Sequence, residues 1–306
     1  MTTQDLHGVY TATVTPVNAD RTLDTGAAKV LMEYYIENGI KGVLIPSSSG
    51  EYFAMTAKMK RQYVEEAVKA AKGKLQILAN ISDSCPEVIL ENACAMTDLG
   101  ADALVCQPPQ FHGYSQEECI TFYHTIADRV DLPIIAYSHM TALPTKPTVE
   151  TVIEICSHEN IIGIKDTHRI PERIPQLKKA MTDANADFTV FLGGDYSAAR
   201  GAVQGFDILN ALSAIRPDLM VGIWEAAQAG DHEKAFALQA KVDKLVQLYF
   251  CLRGGLSSST LFSMSLKLAL EQKGLCKPHS VILGFEANEE DRAAIKAVLD
   301  SIDADG

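Results

Sequence analysis

Lys165 closes the run Ile161-Ile162-Gly163-Ile164-Lys165-Asp166, and an amine at the end of so apolar a segment is the group in this chain best suited to covalent chemistry. A β-branched run of this kind reads as a strand buried on both faces. Burial disfavours the ammonium form, and a neutral amine can attack a ketone and form a Schiff base. The competing reading is ordinary: most strand-end lysines lay their stem along apolar surface and leave the charge in water. Two further features matter beside it. Tyr137 ends Pro133-Ile134-Ile135-Ala136-Tyr137, where a phenol either carries protons or caps a core with its hydroxyl on a backbone carbonyl. Ser47-Ser48-Ser49-Gly50-Glu51 follows the apolar Val43-Leu44-Ile45-Pro46. Three hydroxyls before a glycine make either a plain turn or a loop that converges side chains and backbone N–H groups on a carboxylate.

These residues need elements to position them. Short β-branched runs recur at 9–17, 42–46, 75–81, 103–106, 133–137, 161–165, 188–192 and 206–209. Between them lie helical patterns at 24–38, 56–71, 86–99, 115–129 and 147–157, several opened by a Ser, Thr or Asp cap or by proline in the first turn. Strict βα alternation predicts a parallel sheet, and eight units in this length predict a closed (β/α)₈ TIM barrel; no G-x-G-x-x-G follows the first run to argue for a dinucleotide fold. After Pro217 only helical patterns remain, at 231–250, 256–273 and 288–302. The expected organisation is a barrel over 1–230 with a C-terminal helical extension, 231–306, packed on it. Active sites of this architecture lie at the C-terminal ends of the strands, where Lys165, Tyr137 and the serine loop all fall. Period-two alternation puts Ile161, Gly163 and Lys165 on one face, and the missing side chain at Gly163 is expected to leave room for the lysine stem.

Composition narrows the partners. With 306 residues and 47% hydrophobic content the chain can bury a large core, and its formal charge of −12 carries no basic cluster able to track a phosphate backbone, so nucleic acid is not an expected partner. The first residues lack the basic and apolar regions of a signal peptide, and no apolar run approaches the ~20 residues that span a bilayer, so the expected location is the cytoplasm with no membrane partner. Seven cysteines without a C-x-x-C pair suggest neither a disulfide framework nor a zinc knuckle, and read as core thiols. Eight histidines are scattered without ligand spacing, which leaves little for a metal-dependent aldolase on the same fold.

Taken jointly, the motifs identify a family. The chain resembles the dihydrodipicolinate synthase/N-acetylneuraminate lyase family of class I, pyruvate-type aldolases, whose barrels carry a G-[TS]-T-G-E loop after strand two, a tyrosine ending strand five and a Schiff-base lysine in a G-x-K-D segment. Ser47-Ser48-Ser49-Gly50-Glu51, Tyr137 and Gly163-Ile164-Lys165-Asp166 stand at those places. Thr13-Val14-Thr15-Pro16, Gly193-Gly194-Asp195 and the helical C-terminus also agree. The resemblance implies that Lys165 attacks the C2 ketone of a 2-oxo acid and that Tyr137 carries protons. It implies too that Ser48 and Ser49, with Ser47 before them, bind the substrate carboxylate, and that the Leu209 carbonyl lines the pocket. It further implies no cofactor, no metal and a homotetramer.

Departures from the family pattern bear on substrate. Synthases of dihydrodipicolinate use a tyrosine pair after strand four, where this chain has Pro109-Gln110-Phe111-His112-Gly113, and an arginine soon after the strand-five tyrosine, where none appears before Arg169. A lysine-pathway synthase is therefore not expected. The segments around Lys165 and Gly193 look most like the branch that cleaves 2-keto-3-deoxy sugar acids, with His139, Gln110, His112 and His168 as partners for hydroxyls of the substrate tail. The alternatives are a dihydrodipicolinate synthase or N-acetylneuraminate lyase of the same family, and a catalytically silent barrel that binds a 2-oxo acid. Retention of both Lys165 and Tyr137 speaks against the last.

Overall fold

The computed structural model describes residues 1–168, 170–255, 257–282 and 285–303; Arg169, Leu256 at the start of the helical pattern expected at 256–273, and residues 283, 284 and 304–306 of the expected C-terminal extension lie outside them. Eight parallel strands close into a barrel in sequence order: β1 (Val9–Ala12), β2 (Gly42–Ile45), β3 (Gln76–Asn80), β4 (Ala103–Cys106), β5 (Ile134–His139), β6 (Ile161–Thr167), β7 (Thr189–Leu192) and β8 (Asp207–Asn210). Eight helices follow them in turn: α1 (Thr25–Glu37), α2 (Ala57–Ala71), α3 (Pro86–Asp98), α4 (Gln116–Ala127), α5 (Val149–Ile155), α6 (Arg173–Asp183), α7 (Ala198–Ala202) and α8 (Pro217–Gln228). Three more, α9 (His232–Leu245), α10 (Ser258–Gln272) and α11 (Glu289–Asp303), form the C-terminal segment. The expected barrel with its helical extension is what forms.

Local chemistry sets the boundaries. Asp24, Thr56, Ser115, Thr148, Asp231 and Ser257 each accept a backbone N–H of the first turn of the helix they precede, while Pro86 and Pro217 open helices where their missing donor costs nothing. The first strand is shorter than expected: beyond Ala12 the chain leaves the ladder as a braced loop. Thr13 Oγ1 meets the Tyr35 hydroxyl at 2.5 Å, and the Tyr63 hydroxyl donates to the Val14 carbonyl at 2.7 Å.

The core has two layers. Strand and helix side chains fill the space between barrel and helices, and a smaller inner cluster built around Tyr10, Leu44, Leu78, Ile135, Tyr137, Phe191 and Leu209 fills the barrel itself, plugged from below by Leu6. Each of the large aliphatic or aromatic members contributes about 1.5–3 kcal/mol by leaving water. Strand β6 departs from strict alternation. Ile134 pairs with Ile161 but Ile135 pairs with Gly163, so Ile162 is an extra residue in β6. Ile161 therefore packs outward and Ile162 inward, which corrects the expectation that Ile161 shares the face of Lys165.

Gly163 also serves another purpose than expected. A Cβ there would come 2.9 Å from the Thr189 carbonyl, so the glycine lets β7 approach. The cysteines divide: Cys106, Cys119, Cys156 and Cys276 are buried, whereas Cys85 and Cys94 are exposed and are not core thiols. Among the described residues no helix is long and apolar enough to cross a membrane.

Candidate active site

Lys165 and Tyr137 are register partners on neighbouring strands, so their side chains leave the sheet on the same face. Each is only 4% exposed. The Lys165 Nζ sits 4.3 Å from the centroid of the Tyr137 ring, within range of the electron-rich face that attracts a cation. Glycine does make room for the lysine stem, but it is Gly193: a Cβ there would lie 3.0 Å from the Lys165 Cε and 2.0 Å from the Thr167 Oγ1.

Both side chains rest on rigid backbone. From the helix side, the Tyr123 hydroxyl lies 3.0 Å from the Cys106 carbonyl and 3.2 Å from both the N–H and the carbonyl of Tyr137, tying β4, β5 and α4 together. Asp166, next to the lysine but facing outward, accepts from the Arg173 Nε at 2.8 Å and from the His168 N–H at 3.1 Å. Asp195, after β7, is fully desolvated. It accepts from the Leu212 N–H at 3.0 Å and from the Tyr249 hydroxyl at 2.9 Å. Burial pushes its carboxyl above the ordinary range; these hydrogen bonds and the nearby Lys165 charge pull it part of the way back.

The serine loop divides by role. Ser47 is wholly buried and its hydroxyl is engaged within the scaffold, donating to the Thr13 carbonyl at 2.7 Å and accepting from the Gly50 N–H at 3.0 Å. The Thr15 hydroxyl donates to the Gly50 carbonyl at 2.6 Å, and a Cβ at Gly50 would stand 2.7 Å from that hydroxyl, so only glycine lets the loop press on the segment that follows β1. Ser49 is buried and Ser48 half-buried, and among the described residues their backbone N–H groups have no main-chain acceptor. Two adjacent N–H donors and two hydroxyls left over from the turn are what an incoming carboxylate needs. Leu209 packs its side chain in the inner cluster, on β8 two residues beyond Asp207, the partner of Phe191.

Some neighbours were not read from the sequence. Tyr52, directly after the loop, is buried, and its hydroxyl bonds to the side chains of Gln107 and Gln110. Burial, and after it the charge interaction with Tyr137, raises the Tyr52 phenol well above its ordinary value. No local pattern announces this, because it depends on a left-handed turn at Glu51 (φ 62°) that folds Tyr52 back. Thr167 was within reach of sequence reasoning. Two residues past Lys165 on the same strand, its hydroxyl is buried with no hydrogen-bond partner; extending the strand from Lys165 to Thr167 would have found it.

The expected tail contacts separate. Gln110 joins Tyr52, and the His139 ring lies 6.0 Å from the Tyr137 ring while its Nδ1 accepts from the N–H of Ala142 at 3.1 Å. His168 Nε2 is 2.8 Å from the Ser138 hydroxyl. His112 stands exposed against Phe111, itself 82% exposed. Among the described residues no three of His, Cys, Asp and Glu gather as metal ligands.

Comparison with known proteins shows the family and the fold. Residues 5–301 match the model of the dihydrodipicolinate synthetase family. The chain is 29% identical over 244 residues to an N-acetylneuraminate lyase of Rhizobium meliloti (strain 1021), a stretch covering 79% of this chain and 80% of that protein. Its structure is similar to that of dihydrodipicolinate synthase from Bacteroides thetaiotaomicron, with a TM-score of 0.90 and 27% identity over 97% of this chain and 98% of the other. It is also similar to a chloride-inhibited dihydrodipicolinate synthase from Acinetobacter baumannii complexed with pyruvate, with a TM-score of 0.87 and 25% identity over 97% and 99% of the two chains. A match that runs from the first turn to the last helix, shared with relatives of two different activities, means that the chain belongs to the dihydrodipicolinate synthetase family and is a lyase of the class I aldolase type.

Proposed function

We propose that the protein reversibly cleaves a 2-keto-3-deoxy sugar acid, or a related 4-hydroxy-2-oxo acid, to pyruvate and an aldehyde through an imine on Lys165. The observation that carries this reading is the buried Lys165 amine over the Tyr137 ring, inside the C-terminal mouth of the barrel. The amine adds to the C2 carbonyl and water leaves, giving a protonated imine that draws electrons from the C3–C4 bond. Tyr137 relays the proton of the C4 hydroxyl as that bond breaks, receiving it on its oxygen while its own proton passes to the substrate carboxylate; an aldehyde departs and an enamine remains. Protonation of the enamine at C3 and hydrolysis of the imine release pyruvate and restore the amine. Ser48 and Ser49 hold the carboxylate, the Leu209 carbonyl lines the pocket, and Thr167, Gln107 and Gln110 face the hydroxylated tail. Neither a cofactor nor a metal takes part in these steps.

A sugar acid is favoured over the synthase substrate by the strand-four loop. The relay position holds Phe111, which has no hydroxyl, and the chain from Ser138 to His168 contains no arginine to grip a second carboxylate. We place the enzyme in the cytoplasm, as its seven free thiols suit a reducing compartment, and expect a homotetramer from the family resemblance. Purified protein supplied with 2-keto-3-deoxygluconate and a panel of related acids should release pyruvate, followed with a coupled dehydrogenase. Efficient condensation of pyruvate with aspartate semialdehyde, and no cleavage of any sugar acid, would overturn the assignment.

A further inference from the structure

Glu51 ends the serine loop and is wholly buried, yet its carboxylate reaches out of the loop to the far end of the chain. It accepts from the Lys267 Nζ on α10 at 2.7 Å, from the Ser280 hydroxyl, and from the Val281 N–H at 3.1 Å. Lys267 is equally buried and also donates to the His279 carbonyl at 2.7 Å, while the Ser280 Oγ accepts from the Ile282 N–H at 2.9 Å. A helix and the strap that follows it thus close on one carboxylate. Desolvating two charges costs so much that a buried pair adds little net stability over apolar packing, so its value here is geometric.

The geometry concerns the loop. Glu51 holds a left-handed backbone, φ 62° and ψ 30°, which a residue other than glycine keeps only where its surroundings fix it. On one side of that turn stand the free N–H groups of Ser48 and Ser49; on the other stands Tyr52, bonded to Gln107 and Gln110. A change of backbone angle at Glu51 would reorient both.

We propose that Glu51, clamped by Lys267 and Ser280, is a positioning residue through which the C-terminal helical segment aims the serine loop at the carboxylate of the 2-oxo acid. This rests on the roles of Lys165 and the loop proposed above. The clamp governs capture of the acid and leaves the covalent step at Lys165 to proceed once the site is filled.

The test compares the full-length wild type with Glu51→Gln and Ser280→Ala, trapping the imine with borohydride across a concentration series of pyruvate and of hydroxyacetone, a neutral ketone of similar size. Loss of alignment to a charged acceptor should raise the half-saturating pyruvate concentration about tenfold in Glu51→Gln, with the trapping rate at saturation within about twofold and the hydroxyacetone series unchanged. Ser280→Ala keeps the ion pair and should show a smaller rise of the same kind, so it decides the matter if Glu51→Gln does not fold. Unchanged pyruvate saturation in the folded variants, or an equal rise for both ketones, would show that the clamp serves only the fold. A wild type that traps no pyruvate would instead overturn the functional reading and the clamp's role together.

Discussion

Tyr137 presents its ring to the Lys165 amine, and removal of a single oxygen separates packing from proton transfer. Tyr137→Phe keeps the ring and should form the imine at close to the wild-type rate, while turnover falls by roughly 10²–10⁴ with loss of the general acid–base. Pre-steady-state trapping set against steady-state kcat reads the two steps apart; equal kcat in the variant would mean that the hydroxyl carries no proton. At this scale the sequence was legible where residue type decides chemistry: an amine ending a greasy strand and a phenol ending its neighbour. It was illegible where identical residues differ only by environment. Ser47 has its hydroxyl tied up by Thr13 and Gly50, and Ser49, two positions on, does not. Room for the lysine stem comes from Gly193, just past the end of the neighbouring β7, and no alternation within one strand can express a contact between strands.

At the scale of elements, strand and helix existence followed from periodicity and caps, while strand ends did not. Strand β6 runs two residues beyond Lys165, to Thr167, because β5 continues beside it as far as His139 and offers ladder partners. The bulge at Ile162 cannot be seen in a run where every residue is apolar, since either face would accept each side chain. The short α7, only five residues long and following the Gly193-Gly194-Asp195 turn, is too brief to show a helical period.

The end of β6 also carries a pH dependence. Burial lowers the His168 imidazole below its ordinary pKa of 6.5, with Arg173 and Lys146 adding to the effect and Asp166 opposing it. As pH falls below about 6.5 the unfolded chain takes up the proton first, so the stability due to neutral His168 is full above that pH and is lost as pH falls toward the folded-state value. His168→Gln should therefore lose less stability than the wild type between pH 7.5 and 5.5, measured as urea midpoints. Parallel losses in the two proteins would contradict this.

At the scale of the whole molecule, barrel class was legible because eight βα units in sequence order permit few other closures. The placement of the C-terminal helices was not. Glu51 and Lys267 are separated by 216 residues, and nothing in the amphipathic pattern of either segment names the other as partner. The contact of Tyr52 with Gln107 and Gln110 was illegible for the same reason, since these residues come from two different strand ends and meet only in the closed barrel. The proposed chemistry comes down to one nitrogen. Intact-mass and peptide mass spectrometry after incubation with pyruvate and borohydride should show a single reduced pyruvyl adduct, mapped to Lys165 and absent in Lys165→Ala. No mass gain in the wild type, or an adduct that persists in Lys165→Ala, would contradict imine catalysis at this site.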